Sequence, residues 1–273
     1  MLPVLFNFEP LKIYTFGVFL VLAFFWGAYL LWKNIRLTSY QEGDIFDGLF
    51  LSLAGALFAG RLVHVVLNFS KFGFSPLKFI LINGYPGISI YGFLAGGLSV
   101  LYIFASSNKM NFADLMNYFT PPALLALAFG KLGSFFSGVE VGTPTRIFLA
   151  VRYSGAGGLS HLTPFYESVL FFGAAYIAQK VLYDVRRRTL PVGFNFYFLL
   201  WSFTLSTSLL SFIRVSESSV LNILIERWLG LVLALTFTIY FLYYFRSSIF
   251  SWAKKLYGQK ITKNVRKRAG QKA

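Results

Sequence analysis

The chain has 273 residues, of which 56% are hydrophobic, 20% aromatic and only 13% charged, with a mean hydropathy of +0.64. A water-soluble domain cannot hide that much apolar surface, so the composition excludes an ordinary soluble enzyme and points to a polytopic membrane protein. The net charge of +15 does not argue for nucleic acid: much of it sits in residues 254–272 and in 186–188, beside apolar spans, where basic runs mark the cytoplasmic face and meet anionic lipid.

The sequence contains no cysteine, which rules out a disulfide framework, an iron–sulfur cluster and a nucleophilic thiol of its own. His64 and His161 are its only histidines; without cysteine they argue against zinc. No metal and no organic cofactor is expected.

About seven apolar runs approach the roughly twenty residues that cross a bilayer. In chain order they are 13–32, 45–68, 88–106, 115–136, 164–183, 192–213 and 221–245. The first is too long for a signal-peptide core and lacks a basic leader and a small-residue cleavage site, so it reads as a retained helix. Turn-forming residues fill the connections, including "NKMNFAD", "RRRTLP", "SESS" and "YSGAGGLSH". No internal repeat and no second soluble domain is visible. The expected fold is all-α, with a membrane domain over 1–250 and a basic tail over 251–273 that is either a short amphipathic surface helix or disordered. A cytoplasmic tail after seven spans puts the N-terminus outside. "WKNIR", "SSNK" and "DVRRR" then lie inside, as the positive-inside rule prefers, and the loops at 71–86, 139–161 and 214–220 lie outside.

Arg61, Lys131, Glu167 and Arg214 fall at membrane depth by the hydropathy pattern, and Glu140 lies at its edge. Charge there is costly and faces protein or a wet cavity. One reading is structural, with snorkelling or paired groups acting as glue. The other is an anionic lipid headgroup met by three cations at one outer mouth, since arginine forks suit phosphate. The glycines divide the same way. Those of "YGFLAGG" suit close helix packing, whereas those between 130 and 142, followed at once by Pro144, suit irregular backbone lining a cavity.

Those segments carry a resemblance. "GKLGSFFSGVEVGTPT" is similar to the G-R-x-G-(N or C)-F-x-x-G-x-x-x-G signature, followed by x-P-T, of the prolipoprotein diacylglyceryl transferase family. "AGRLVHVV", "YPGISIYGFLAGG" and "HLTPFYE" resemble three further landmarks of that family, in order, and the likeness spans most of 13–245. The departures are specific. Lys131 stands for the signature arginine, Ser134 for the Asn or Cys, and Tyr91 for a frequent histidine. "HLTPFYE" lacks a Pro and a Gln. In "WSFTLSTSLLSFIR" the family's tyrosine, arginine and glutamate fall on Phe203, Thr207 and Ser211, while Arg214 is kept.

The resemblance implies a bacterial inner-membrane enzyme of lipoprotein biosynthesis. It would move a diacylglyceryl group from phosphatidylglycerol to the lipobox cysteine of a lipoprotein precursor, whose signal peptide is the second partner; nucleic acid is not one. The resemblance also implies roles for single residues. Arg61, Lys131 and Arg214 bind the phosphate, with Arg146 and Arg152 in reserve. Gly130, Gly133, Gly138, Gly142 and Ser134 shape the backbone around the headgroup. Tyr91 orients lipid or thiol, and Glu167 or His161 acts as base. His64 is packing. The alternative is a catalytically degenerate relative that binds phospholipid or a signal segment. An unrelated transporter or channel is disfavoured, because no paired broken helices recur between two halves.

Overall fold

A computed structural model describes residues 3–8, 11–81, 84–153, 158–215 and 225–247. The basic tail, "SESS" and most of "YSGAGG" lie outside the described residues.

The chain opens with a short antiparallel hairpin, β1 (Val4–Phe8) against β2 (Leu11–Tyr14). Helices follow: α1 (Thr15–Ile35), α2 (Glu42–Leu67), the short α3 (Phe69–Phe72) and α4 (Pro76–Ile80), α5 (Ile90–Ser107) and α6 (Phe112–Ser137). The strands β3 (Val151–Arg152) and β4 (Leu159–Ser160) pair next. Then come α7 (Thr163–Arg186), α8 (Phe194–Ser211), a π-helical turn at Ile225–Leu229 and α9 (Gly230–Tyr244). The all-α membrane architecture expected from composition is what forms, with a helix at each of the seven apolar runs. The first begins two residues late, because Ile13 and Tyr14 pair in the hairpin.

Among the described residues, α1, α2, α5, α6 and the segment Arg227–Tyr244 are long and apolar enough to cross a membrane. Their outward faces carry exposed Phe25, Trp26, Phe58, Tyr102 and Ile239, the pattern of a helix whose solvent is lipid. Helices α7 and α8 are more polar because they are interior. Helix α8 buries eleven of its eighteen residues, among them Ser202, Thr204, Ser206, Thr207, Ser208 and Ser211, whereas α9 buries only Gly230 and Ala234. Four of these hydroxyls are satisfied within the helix. Ser202, Thr204, Thr207 and Ser211 each donate to a carbonyl three or four residues earlier.

Local chemistry sets the helix limits. Ser89 and Asn111 cap α5 and α6 by accepting from the backbone N–H groups of Gly92 and Asp114. Helix α6 carries Pro121 and Pro122 in its interior, where both are buried with Asn117 to Thr120. Interhelical amides fasten the bundle at the end away from Lys131. Asn34 of α1 and Gln179 of α7 bond reciprocally at 3.2 and 2.9 Å. Asn195 of α8 donates to the carbonyls of Asn117 and Ala178, both at 3.1 Å. Such bonds hold helices together where apolar lipid offers no hydrophobic drive.

Candidate functional site

The site lies where the ends of α6, α7 and α8 meet. Helix α6 stops at Gly138, whose φ of 73° is the left-handed conformation glycine favours. The chain then runs as an extended segment between two others. Thr143 N–H donates to the Ile213 carbonyl at 2.8 Å and Val215 N–H to the Val141 carbonyl at 3.0 Å. On the other side His161 N–H donates to the Thr143 carbonyl at 3.1 Å. Gly142 pairs with Arg214 as an isolated bridge. No side chain fits at Gly142, because an added Cβ would lie 2.6 Å from Thr163 Oγ1 and closer still to the His161 carbonyl. This ladder sets Glu140, just before Val141, beside Arg214, just after α8.

The result is a four-charge cluster. Lys131 Nζ, from α6, lies 2.9 Å from both Glu140 carboxylate oxygens and 2.6 Å from Glu167 Oε2. Arg214 Nη2 bonds Glu167 Oε1 and lies 3.4 Å from Glu140 Oε2. Glu167 is fully buried. Each carboxylate therefore meets both cations, and among the described residues the four formal charges cancel. Burial alone would raise the Glu140 carboxyl, but Lys131 and Arg214 more than offset it and hold it below the usual carboxylate range, with help from the Ser134 hydroxyl. Tyr153, just after β3, adds a phenol that is buried to 2% exposure and whose oxygen has no hydrogen-bond partner among the described residues. Burial, with the charge of Glu140 and the neighbouring Tyr166, pushes it up to about 12.

Of the residues expected to meet one guest, the structure brings Lys131, Glu167 and Arg214 together and adds Glu140. Arg61 does not join them. Buried to 3% exposure, it donates from Nε to the Phe79 carbonyl at 2.9 Å, from Nη1 to Tyr85 and Gly87 at 2.7 and 2.9 Å, and from Nη2 to Lys78 at 2.7 Å. Carbonyls at the end of a short helix have no ladder partner, and the guanidinium supplies one to each. Three cations at one mouth are thus two, with the third anchoring the 78–87 connection. His64 packs edge-on to Phe72, in keeping with a packing role.

The glycine segment also differs from expectation. The backbone does not leave helical form at Gly130 or Gly133, which lie inside α6. A side chain at Gly130 would meet nothing, and one at Gly133 would come within 2.5 Å of Phe19 in α1, so its role there is close helix packing. Irregular backbone begins only at Gly138. Ser134 is buried on the last turns of α6. His161 is held by its backbone beside Thr143. Tyr91, in the first turn of α5, shares a hydrogen bond of 3.3 Å with Thr207 Oγ1 and sets its ring edge-on to Phe203. Thr207 and Ser211, where the resemblance expects arginine and glutamate, bond their own helix.

Arg227, not among the residues singled out from the sequence, donates from Nη2 to the Ser211 carbonyl at 3.1 Å. It lies within the predicted 221–245 span, so the rule that singled out the other charges applies to it equally. Tyr153 left no signal, because nothing in a loop tyrosine's neighbours announces a buried hydroxyl.

Comparison with known proteins points to one family. A family model described as prolipoprotein diacylglyceryl transferase matches residues 3–244. Among similar proteins, a phosphatidylglycerol–prolipoprotein diacylglyceryl transferase of Clostridium tetani is 28% identical over 64% of this chain and 72% of its own length. The protein of that name from Streptococcus suis is 25% identical over 85% and 88%, and that from Geobacter sulfurreducens 28% identical over 79% and 83%. With a match from near its first residue to the end of α9, and a charged site at the helix ends of a membrane bundle, the chain belongs to the prolipoprotein diacylglyceryl transferase family.

Proposed function

We propose that the protein transfers the diacylglyceryl group of phosphatidylglycerol to the lipobox cysteine thiol of a lipoprotein precursor, in the bacterial inner membrane. The observation that carries this is the meeting of Lys131, Glu140, Glu167 and Arg214 at one end of a lipid-facing bundle, in a chain of this family. That end faces outward, with the N-terminus, and residues 251–273 lie in the cytoplasm. The basic segments "WKNIR", "SSNK" and "DVRRR" at the opposite end support this orientation.

The bond changes are simple. The cysteine sulfur, as thiolate, attacks the glyceryl carbon that bears the phosphate. The S–C bond forms, the C–O bond breaks, and the electron pair leaves on glycerol phosphate. Lys131 and Arg214 stabilise that oxygen's developing charge, while Glu140 and Glu167 keep the two cations in place. Both Glu167 oxygens are held by cations, so the thiol proton is assigned to His161. Gly138, Gly142 and Ser134 shape the wall on which the headgroup rests, and Tyr91 orients the lipid from the α5 side.

Purified protein in liposomes with phosphatidylglycerol and a lipobox peptide should give a diacylglyceryl–peptide adduct by mass spectrometry, together with one equivalent of glycerol phosphate. Absence of adduct across several anionic lipids and lipobox peptides would remove the catalytic reading. It would leave a relative that binds lipid or signal segment, for which the uncharged Thr207 and Ser211 speak.

A further inference from the structure

The cations near the site are not equivalent. Lys131 and Arg214 share two carboxylates, and counted over the described residues that group is neutral. Arg61 gives four N–H bonds to carbonyls. Arg227, half-buried on the π-helical turn, is different. A guanidinium has five N–H donors, and among the described residues Arg227 commits one nitrogen, Nη2, to the Ser211 carbonyl. The Phe212 ring lies 5.6 Å from its guanidinium carbon, and no described carboxylate pairs with it.

Its position matters as much. Positions 207, 211 and 214 recur at helical spacing on one side of α8 and just beyond it. Thr207 holds the Tyr91 hydroxyl, the Ser211 backbone carbonyl accepts from Arg227, and Arg214 holds Glu167 and Glu140. Gly230, three residues after Arg227, rests against the same tyrosine: a Cβ there would lie 2.6 Å from Tyr91 Oη. Arg227 therefore meets α8 at a carbonyl four residues after the threonine that holds Tyr91 and three before Arg214, with donors to spare among the described residues. A phosphodiester brings one negative charge, and loss of the glyceryl carbon places more on the departing oxygen. A neutral cluster can polarise that charge but adds no net countercharge, whereas an arginine with no described carboxylate partner does.

We propose that Arg227 is a headgroup-binding residue of this site, receiving the phosphate of the anionic lipid between Tyr91 and Arg214 and supplying the net positive charge the cluster lacks. This rests on the transfer reaction proposed above. The test titrates phosphatidylglycerol as a mole fraction in phosphatidylcholine liposomes at saturating lipobox peptide, comparing wild type with Arg227→Gln and Arg227→Lys. A lost charge-assisted hydrogen bond corresponds to about ten- to hundredfold. Arg227→Gln should raise the half-saturating fraction by that order, Arg227→Lys should recover most of it, and Thr207→Arg in the Arg227→Gln background should restore part from the adjacent helix. Unchanged half-saturation in Arg227→Gln overturns the proposal. So does a lowered turnover alone that tracks a lowered thermal midpoint, since that is the behaviour of a cap on α8. If wild type makes no adduct, the transfer reading fails separately. Calorimetry with short-chain phosphatidylglycerol in detergent then decides: weaker binding by Arg227→Gln supports the assignment, and equal binding overturns it.

Discussion

Lys131 Nζ lies 2.6 Å from Glu167 Oε2, joining the end of α6 to the start of α7 through a carboxylate with no solvent exposure. A charge so placed is tolerable only while its partners remain. Removing one partner of a buried pair costs about 3–5 kcal/mol, because the other is left uncompensated. Lys131→Met leaves Glu140 and Glu167 to share Arg214 alone, and should lower stability by that order in detergent unfolding. Lys131→Arg, which restores charge, should lose far less. Lys131→Met/Glu167→Gln should be more stable than Lys131→Met. Equal stability of the single and double variants would show that the pair is not coupled.

Glu140 gives the cluster its acid limit. Its carboxyl is held below the usual range despite burial, so the folded state favours the charged form. That contribution is complete above the unfolded carboxylate pKa, near about 4.3. It fades as pH falls through the lower folded value. The thermal midpoint of wild type should drop as pH is taken from 5 towards about 3, and Glu140→Gln should show a shallower drop from a lower starting point. An identical slope in the two proteins would place the acid sensitivity elsewhere.

How much of this was legible beforehand divides along physical lines. A helix falls at each of the seven apolar runs, and among the described residues five of them are long and apolar enough to span; run length foretells this, because a span has no other way to satisfy its backbone in lipid. Lys131, Glu167 and Arg214 were legible for a related reason: charge in an apolar run demands a partner. Which partner was not legible. Arg61 obeys the same rule yet meets carbonyls seventeen to twenty-six residues away, contacts that depend on how the 78–87 connection folds back. Glu140 was placed only at the edge, because its approach to Arg214 needs the 141–143 segment to pair with 213–215. The glycines of 130–142 show the limit of composition: the same residue packs against Phe19 at 133 and turns the chain at 138.

Tyr153 yields a prediction of opposite sign to most core substitutions. Its hydroxyl is buried without a partner among the described residues, and such a group costs about 1–3 kcal/mol of desolvation. Tyr153→Phe keeps the ring and removes the cost, so the thermal midpoint at neutral pH should rise. The phenol is also pushed up to about 12, so the folded state favours its neutral form. Wild type should lose stability as pH rises above about 10, where the unfolded phenol begins to ionise. Tyr153→Phe should lose less over the same interval. A lowered midpoint in the variant would mean that the hydroxyl does useful work in the folded site.

Arg61 separates anchoring from lipid binding. Its guanidinium satisfies the carbonyls of Lys78, Phe79, Tyr85 and Gly87 at once, a task that depends on planar, divergent donors. A lysine carries three donors on one atom and cannot reach four carbonyls spread across a helix end and a loop. Arg61→Lys should therefore behave almost as badly as Arg61→Gln. Both should lower the thermal midpoint and speed proteolysis within 73–89, while enzyme that stays folded keeps the wild-type half-saturating fraction of phosphatidylglycerol. That is the reverse of the pattern expected at Arg227, where lysine rescues and half-saturation moves. If Arg61→Lys were fully stable and Arg61→Gln raised half-saturation instead, Arg61 would belong with the headgroup after all.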